Sequence, residues 1–175
     1  ALDILDTLVT RSPDAGAAFF LQARMYLREK EYIKAQEAIN KCLELKPENV
    51  KAIAFLAQIF MSQGDYSNAV SVLNDALSVR PNIWQLRINL AKALTSNTEY
   101  DKAKILLNKM ATGNKGLGAV HLLLADIFIA EGYYPIALSE FEAALLHSED
   151  LVKKHPELIE IQDKDIEVKQ KVEAF

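Results

Sequence analysis

Residues 56–81 read LAQIFMSQGDYSNAVSVLNDALSVRP, and this stretch decides the fold. Leu56, Ala57 and Phe60 fall on one face of a helix, Gly64-Asp65 interrupts the pattern, and Ala69, Leu73, Ala76 and Leu77 restart it before Pro81 stops it. Gly64 can take the left-handed conformation that ends a helix, and Asp65 can cap the next one. Turn chemistry and apolar spacing therefore predict the same hairpin of two helices. That hairpin is repeated. Tyr66 and Ala69 recur as Tyr32 and Ala35, as Tyr100 and Ala103, and as Tyr134 and Ala137, at a constant step of 34 residues without insertion. Such a period marks a stacked helix-turn-helix array, in which each hairpin buries its apolar face only against its neighbours.

Working outward from the quoted stretch, the period predicts repeats over 16–49, 50–83, 84–117 and 118–151. The first places Phe19, Ala23 and Tyr26 on one helix and Ala35, Ile39, Cys42 and Leu43 on the next, ending at Pro47. The third keeps Leu90, Ala91 and Leu94, then Ala103, Leu107 and Met110, but a glycine-rich run, 112–118, replaces its proline. No strand precedes that run, so it reads as a turn between repeats and not as a phosphate-cradling loop. The fourth carries Leu124, Ala125 and Phe128, then Ala137, Phe141, Ala144 and Leu145, with Pro135 in a first helical turn that tolerates it.

Carried backwards, the frame sets Ala1, Leu5 and Pro13 in the columns of Ala35, Ile39 and Pro47. Residues 1–15 are thus expected to be the second helix of a repeat whose first helix is missing, and the chain to be a segment of a longer array. After Pro156, Leu158, Ile161, Val168, Val172 and Phe175 recur at helical spacing over a charged background. One amphipathic helix is expected over 152–175, either covering the last repeat or forming a seam for a second subunit.

Composition narrows the function. Half of the 175 residues are apolar, with only six Gly and five Pro, as suits an all-α chain. A net charge of −4 gives no global basic field to draw nucleic acid or anionic membranes. The longest apolar run, 119–130, is broken by His121 and Asp126 and is too short to span a bilayer, so no membrane insertion is expected. A soluble protein is expected, cytoplasmic or periplasmic if bacterial. Cys42 is the one cysteine and shares its column with Ala76 and Ala144, which argues for a buried packing residue. His121, His147 and His155 lie apart, and no His, Cys or carboxylate set has metal spacing. No catalytic, metal or cofactor site is expected, and the chain is not read as an enzyme.

The pattern Leu-Ala-x-x-aromatic, Gly-x-Tyr-x-x-Ala, apolar, Ala-Leu, Pro resembles the tetratricopeptide repeat, over about residues 1–151. Departures are Gln22 in the column of Leu56, Lys30 and Thr98 in that of Gly64, and Lys115 and Glu149 in that of Pro81. The resemblance implies a right-handed α-solenoid of antiparallel helix pairs, with 152–175 as a C-terminal capping helix. It also implies a protein-interaction scaffold whose first helices line a concave groove. Columns expected to face that groove are Phe20, Ala54, Ile88 and Leu122; Leu27, Met61, Thr95 and Ile129; and Arg24, Gln58, Lys92 and Asp126. The groove is thus expected to be apolar with a polar spine, and Arg24, Arg28, Lys51 and Lys92 to favour acidic groups of a peptide or helical segment. Trp84 reads either as a hot spot at its rim or as packing between repeats.

Some members of the family hold a chaperone's C-terminal carboxylate with Lys-Asn, Asn and Lys-Arg on three successive first helices. The matching columns here are Phe20, Arg24, Phe55, Gln85 and Asn89, or Ala54, Gln58, Asn89, Ala119 and Leu123, so that clamp is absent. The alternatives to peptide capture are self-assembly through the terminal helices, giving a homo-oligomer, and service as the targeting arm of a larger enzyme or secretion or assembly machine.

Overall fold

The computed structural model describes residues 15–112 and 116–147. The expectations for residues 1–14 and for the stripe from Leu158 to Phe175 lie outside the described residues. Those described form helices and turns and no strand. In chain order the helices are α1 (Ala15–Arg28), α2 (Tyr32–Leu45), α3 (Val50–Gln63), α4 (Tyr66–Val79), α5 (Trp84–Ser96), α6 (Tyr100–Ala111), α7 (Leu117–Ala130) and α8 (Tyr134–His147). Every even-numbered helix begins at one of the four periodic tyrosines. Two compact units divide between Asn97 and Thr98, one holding α1 to α5 and the other α6 to α8.

One turn design serves the odd-to-even connections. Gly64 has φ +79° and Gly132 φ +82°, and the Gly64 amide donates to the Met61 carbonyl at 3.0 Å. One residue further on, Asp65 N–H reaches Phe60 O at 2.9 Å, and Tyr133 N–H reaches Phe128 O at 2.8 Å. These bonds satisfy carbonyls left open at a helix end. Lys30 and Thr98 occupy the same column and take the same left-handed conformation, with φ +60° and +61°. Glu31 N–H again closes on Tyr26 O at 2.9 Å. The same left-handed turn thus recurs at this column even where a non-glycine residue disfavours it.

Caps complete the ends. The Asn49 side chain accepts from Lys51 N and Ala52 N at 3.2 and 3.3 Å, and Asp65 accepts from Asn68 N at 3.2 Å. Pro47 and Pro81 lie between an even helix and the next odd one, where no intrahelical amide is required.

Alanine sets how closely the helices approach. Ala23, Ala57, Ala91 and Ala125 in one column are fully buried, and so are Ala35, Ala69 and Ala103 in the other, with Ala137 at 1 % exposure. In the larger unit α1 packs on α2, α2 on α3, α3 on α4, and α5 on both α3 and α4. Ala23, Ala35, Ala38, Ile39, Cys42, Ala52, Leu56 and Ile59 form one of its core clusters, which places Cys42 in packing as its column implied. In the smaller unit α7 packs on α6 and on α8. Tyr32, Tyr66 and Tyr100 are half-buried, and Tyr134 is 40 % exposed.

Candidate peptide-binding groove

The three odd-numbered helices of the larger unit bound a groove of about 790 Å³. Phe20 comes from α1; Val50, Lys51, Ala54, Phe55, Gln58 and Met61 from α3; and Gln85, Asn89 and Lys92 from α5. Helical spacing explains the set. Lys51, Phe55, Gln58 and Met61 follow one another at three or four residues, as do Gln85, Asn89 and Lys92, so each series is one stripe along its helix. The two stripes also share their columns: Lys51 with Gln85, Phe55 with Asn89, and Gln58 with Lys92.

Phe20 and Phe55 meet with ring centroids 5.1 Å apart and planes inclined by 48°, within the range that aromatic quadrupoles favour. Both rings pack against the core cluster and stay only half-buried, so part of each belongs to the groove. Gln85 Nε2 donates to Asn89 Oδ1 at 3.1 Å, which orients two amides side by side. Lys51 and Lys92 are exposed, and among the described residues no Asp or Glu lines the groove. The wall thus combines apolar rings, amides able to bond a peptide backbone, and two cations.

Of the residues expected from sequence, Phe20, Lys51, Ala54, Gln58, Met61 and Lys92 line this groove. Arg24 and Arg28 are exposed on α1 without lining it, and Leu27 is half-buried against the core cluster. Two expectations need correction. The columns set Ile88 and Leu122 outward, but the two side chains are only 7 % and 5 % exposed. α5 packs on α3 and α4 together, which buries a wide arc including Leu86, Ile88, Leu90, Ala91, Ala93 and Leu94. α7 likewise buries Val120, Leu122, Leu123, Leu124, Ala125 and Ile127, and so has no apolar row to spare. Leu122 packs with Phe141 and Ala144, and Ile129 leans on the same cluster. Asp126, half-buried, stands with them on α7 in the smaller unit. Sequence reasoning left Val50, Phe55, Gln85 and Asn89 out of the site. Stepping by three or four from Lys51 and from Lys92 would have recovered the last three.

The smaller unit is tied by charge. Lys104 Nζ bonds Glu131 Oε1 and Oε2 at 2.9 and 3.1 Å, lies 3.2 Å from Asp101 Oδ1, and sits 5.8 Å from the centre of the Phe128 ring. The hydrogen bond to Glu131, and after it that to Asp101, raise the Lys104 pKa above the ordinary lysine value, against the opposing effect of burial. His121 Nδ1 and Glu140 Oε2, 2.7 Å apart, join α7 to α8. Among the described residues no group of His, Cys, Asp and Glu is placed to hold a metal ion, and no helix is long and apolar enough to cross a membrane.

Comparison with known proteins agrees with this architecture. The tetratricopeptide repeat family model matches residues 26–82 and 60–127, which together take in more than half of the chain. No curated protein matches in sequence. Among solved structures, a thermophilic tetratricopeptide repeat protein of Thermus thermophilus is similar with a TM-score of 0.74 at 20 % identity, over 92 % of this chain and 88 % of that one. A tetratricopeptide repeat protein of Parabacteroides merdae has a TM-score of 0.72 at 22 % identity, over 91 % of this chain and 62 % of that one. MamA of Desulfovibrio magneticus has a TM-score of 0.68 at 16 % identity, over 91 % of this chain and 90 % of that one. With its period, its buried alanine columns and the matching family model, the chain belongs to the tetratricopeptide repeat family, as an all-α helical-repeat solenoid of the protein-interaction or scaffold kind.

Proposed function

We propose that the chain acts by capturing a segment of a partner protein, as a peptide or a helix, in the groove between α1, α3 and α5. The observation that carries this reading is the mixed wall: the half-buried rings of Phe20 and Phe55 and the thioether of Met61 beside the amides of Gln58, Gln85 and Asn89. Partly exposed apolar groups concentrated in a concavity gain from being covered, and adjacent amides fix the direction of a bound chain. The chain is read as a binding module and not as a catalyst.

The test is selection of short random peptides on the immobilised chain, followed by binding of the selected peptides to Gln58→Trp. Gln58 is exposed, so a bulky ring there fills the groove without disturbing the core. Loss of binding by Gln58→Trp, with its circular dichroism and melting unchanged, is the expected result. Peptides that bind Gln58→Trp as tightly as the parent chain would place the capture site elsewhere.

A further inference from the structure

The three helices that bound the groove carry no acidic residue at all. Across α1, α3 and α5 the charged side chains are Arg24, Arg28, Lys51, Arg87 and Lys92, all basic. The whole chain has 24 acidic against 20 basic residues. Acidic residues therefore stand on the even-numbered helices, the turns, α7 and the remaining segments, and are missing from the walls of the groove. Arg87 is engaged, its Nε donating to Pro81 O at 2.6 Å and its Nη2 to Asn82 Oδ1 at 3.1 Å. Arg24, Arg28, Lys51 and Lys92 are exposed. Of these, Lys51 and Lys92 line the groove, so its wall carries a local positive field in an acidic protein.

Resting on the reading of the groove as a peptide site, we propose that its occupant is an acidic protein segment carrying an apolar anchor. The anchor meets Phe20, Phe55 and Met61, and flanking carboxylates lie toward Lys51 and Lys92. Charge complementarity of this kind sets which partner is accepted and how fast it arrives. A nucleic acid strand would meet the same lysines, but its long run of phosphates extends past the groove into the field of a chain whose net charge is −4. A short acidic peptide places its charge only where the wall is basic.

Three fluorescent peptides sharing one Phe-Leu core, flanked by Glu and Asp, by Ser and Gln, or by Lys, test this on the full chain. The acidic peptide is expected to bind about tenfold more tightly than the neutral one at low salt, with the gap narrowing as salt is added. Lys51→Glu combined with Lys92→Glu is expected to reverse the order in favour of the Lys-flanked peptide, and both substitutions are on exposed side chains. Equal binding of acidic and neutral peptides, unaffected by the charge reversal but lost in Gln58→Trp, would overturn the acidic preference and leave the groove standing. Binding unaffected by Gln58→Trp as well would remove the groove itself. A single-stranded oligonucleotide that binds more tightly than the acidic peptide, and is lost on charge reversal, would assign the cationic wall to nucleic acid and overturn the proposal.

Discussion

Phe20 of α1 and Phe55 of α3 stand with ring centroids 5.1 Å apart and planes inclined by 48°, at once part of the core and part of the groove wall. The pair links stability to recognition: what holds α1 against α3 also forms the apolar floor on which a partner side chain would rest. A double-mutant cycle with Phe20→Leu and Phe55→Leu, read by urea denaturation, is expected to give a coupling of about 0.5–1.5 kcal/mol. Additive losses would mean that the rings touch without interacting specifically.

Ala69 tests the close approach of α3 and α4. The residue is fully buried in a column that is alanine in all four repeats. Ala69→Leu adds volume where none is free and is expected to cost about 1–3 kcal/mol, seen as a lower melting temperature. Ser71→Ala, exposed on the same helix, should stay within about 0.5 kcal/mol of the parent. An unchanged melt for Ala69→Leu would show that the helices are not in tight contact there.

The repeated turn makes opposite predictions at two equivalent positions. A Cβ at Gly64 would meet nothing within 4 Å, so Gly64→Ala carries only the backbone cost of φ +79°, about 1 kcal/mol. Lys30 already bears that strain at φ +60° on an exposed side chain. Lys30→Gly is expected to stabilise by up to about 1 kcal/mol, the relief of strain exceeding the added flexibility of the unfolded chain. Denaturation midpoints of the two variants should move in opposite directions.

Lys104 ties α6 to the end of α7 through Glu131. Its pKa is raised in the folded chain, so it binds its proton more tightly than in the unfolded one. The stabilisation is therefore complete below the ordinary lysine pKa of about 10.4 and disappears as pH rises through the higher folded value. Lys104→Arg stays charged over that range. Stability of the parent chain should fall relative to Lys104→Arg above about pH 10, while the difference between them stays constant at neutral pH.

Much of this architecture is legible in the sequence because a period of 34 residues fixes columns, and columns fix which alanines meet and where a left-handed residue is required. Gly64-Asp65 states its turn outright; Lys30 and Thr98 do not, and only their place in the frame locates the same turn. The site is half legible. Phe20, Ala54, Gln58, Met61 and Lys92 follow from the columns and Lys51 from its charge, whereas Ile88 and Leu122 share the column of Phe20 and are buried. A column tells which residues are equivalent, not how wide an arc each helix buries. α5 leans on two helices and α7 is apolar over most of its surface, so in both helices a residue that looks outward in α1 turns out to be core.

Methionine offers the most direct test of the central claim, that α1, α3 and α5 form the recognition groove. The chain has three: Met61 lines the groove, Met110 is buried on α6, and Met25 is half-buried on α1 outside the lining. With carbon-13 methyl-labelled methionine, titration of the acidic Phe-Leu peptide is expected to shift the Met61 methyl resonance saturably and leave Met25 and Met110 in place. A bound peptide that moves Met110 or Met25 while Met61 stays still would contradict the account.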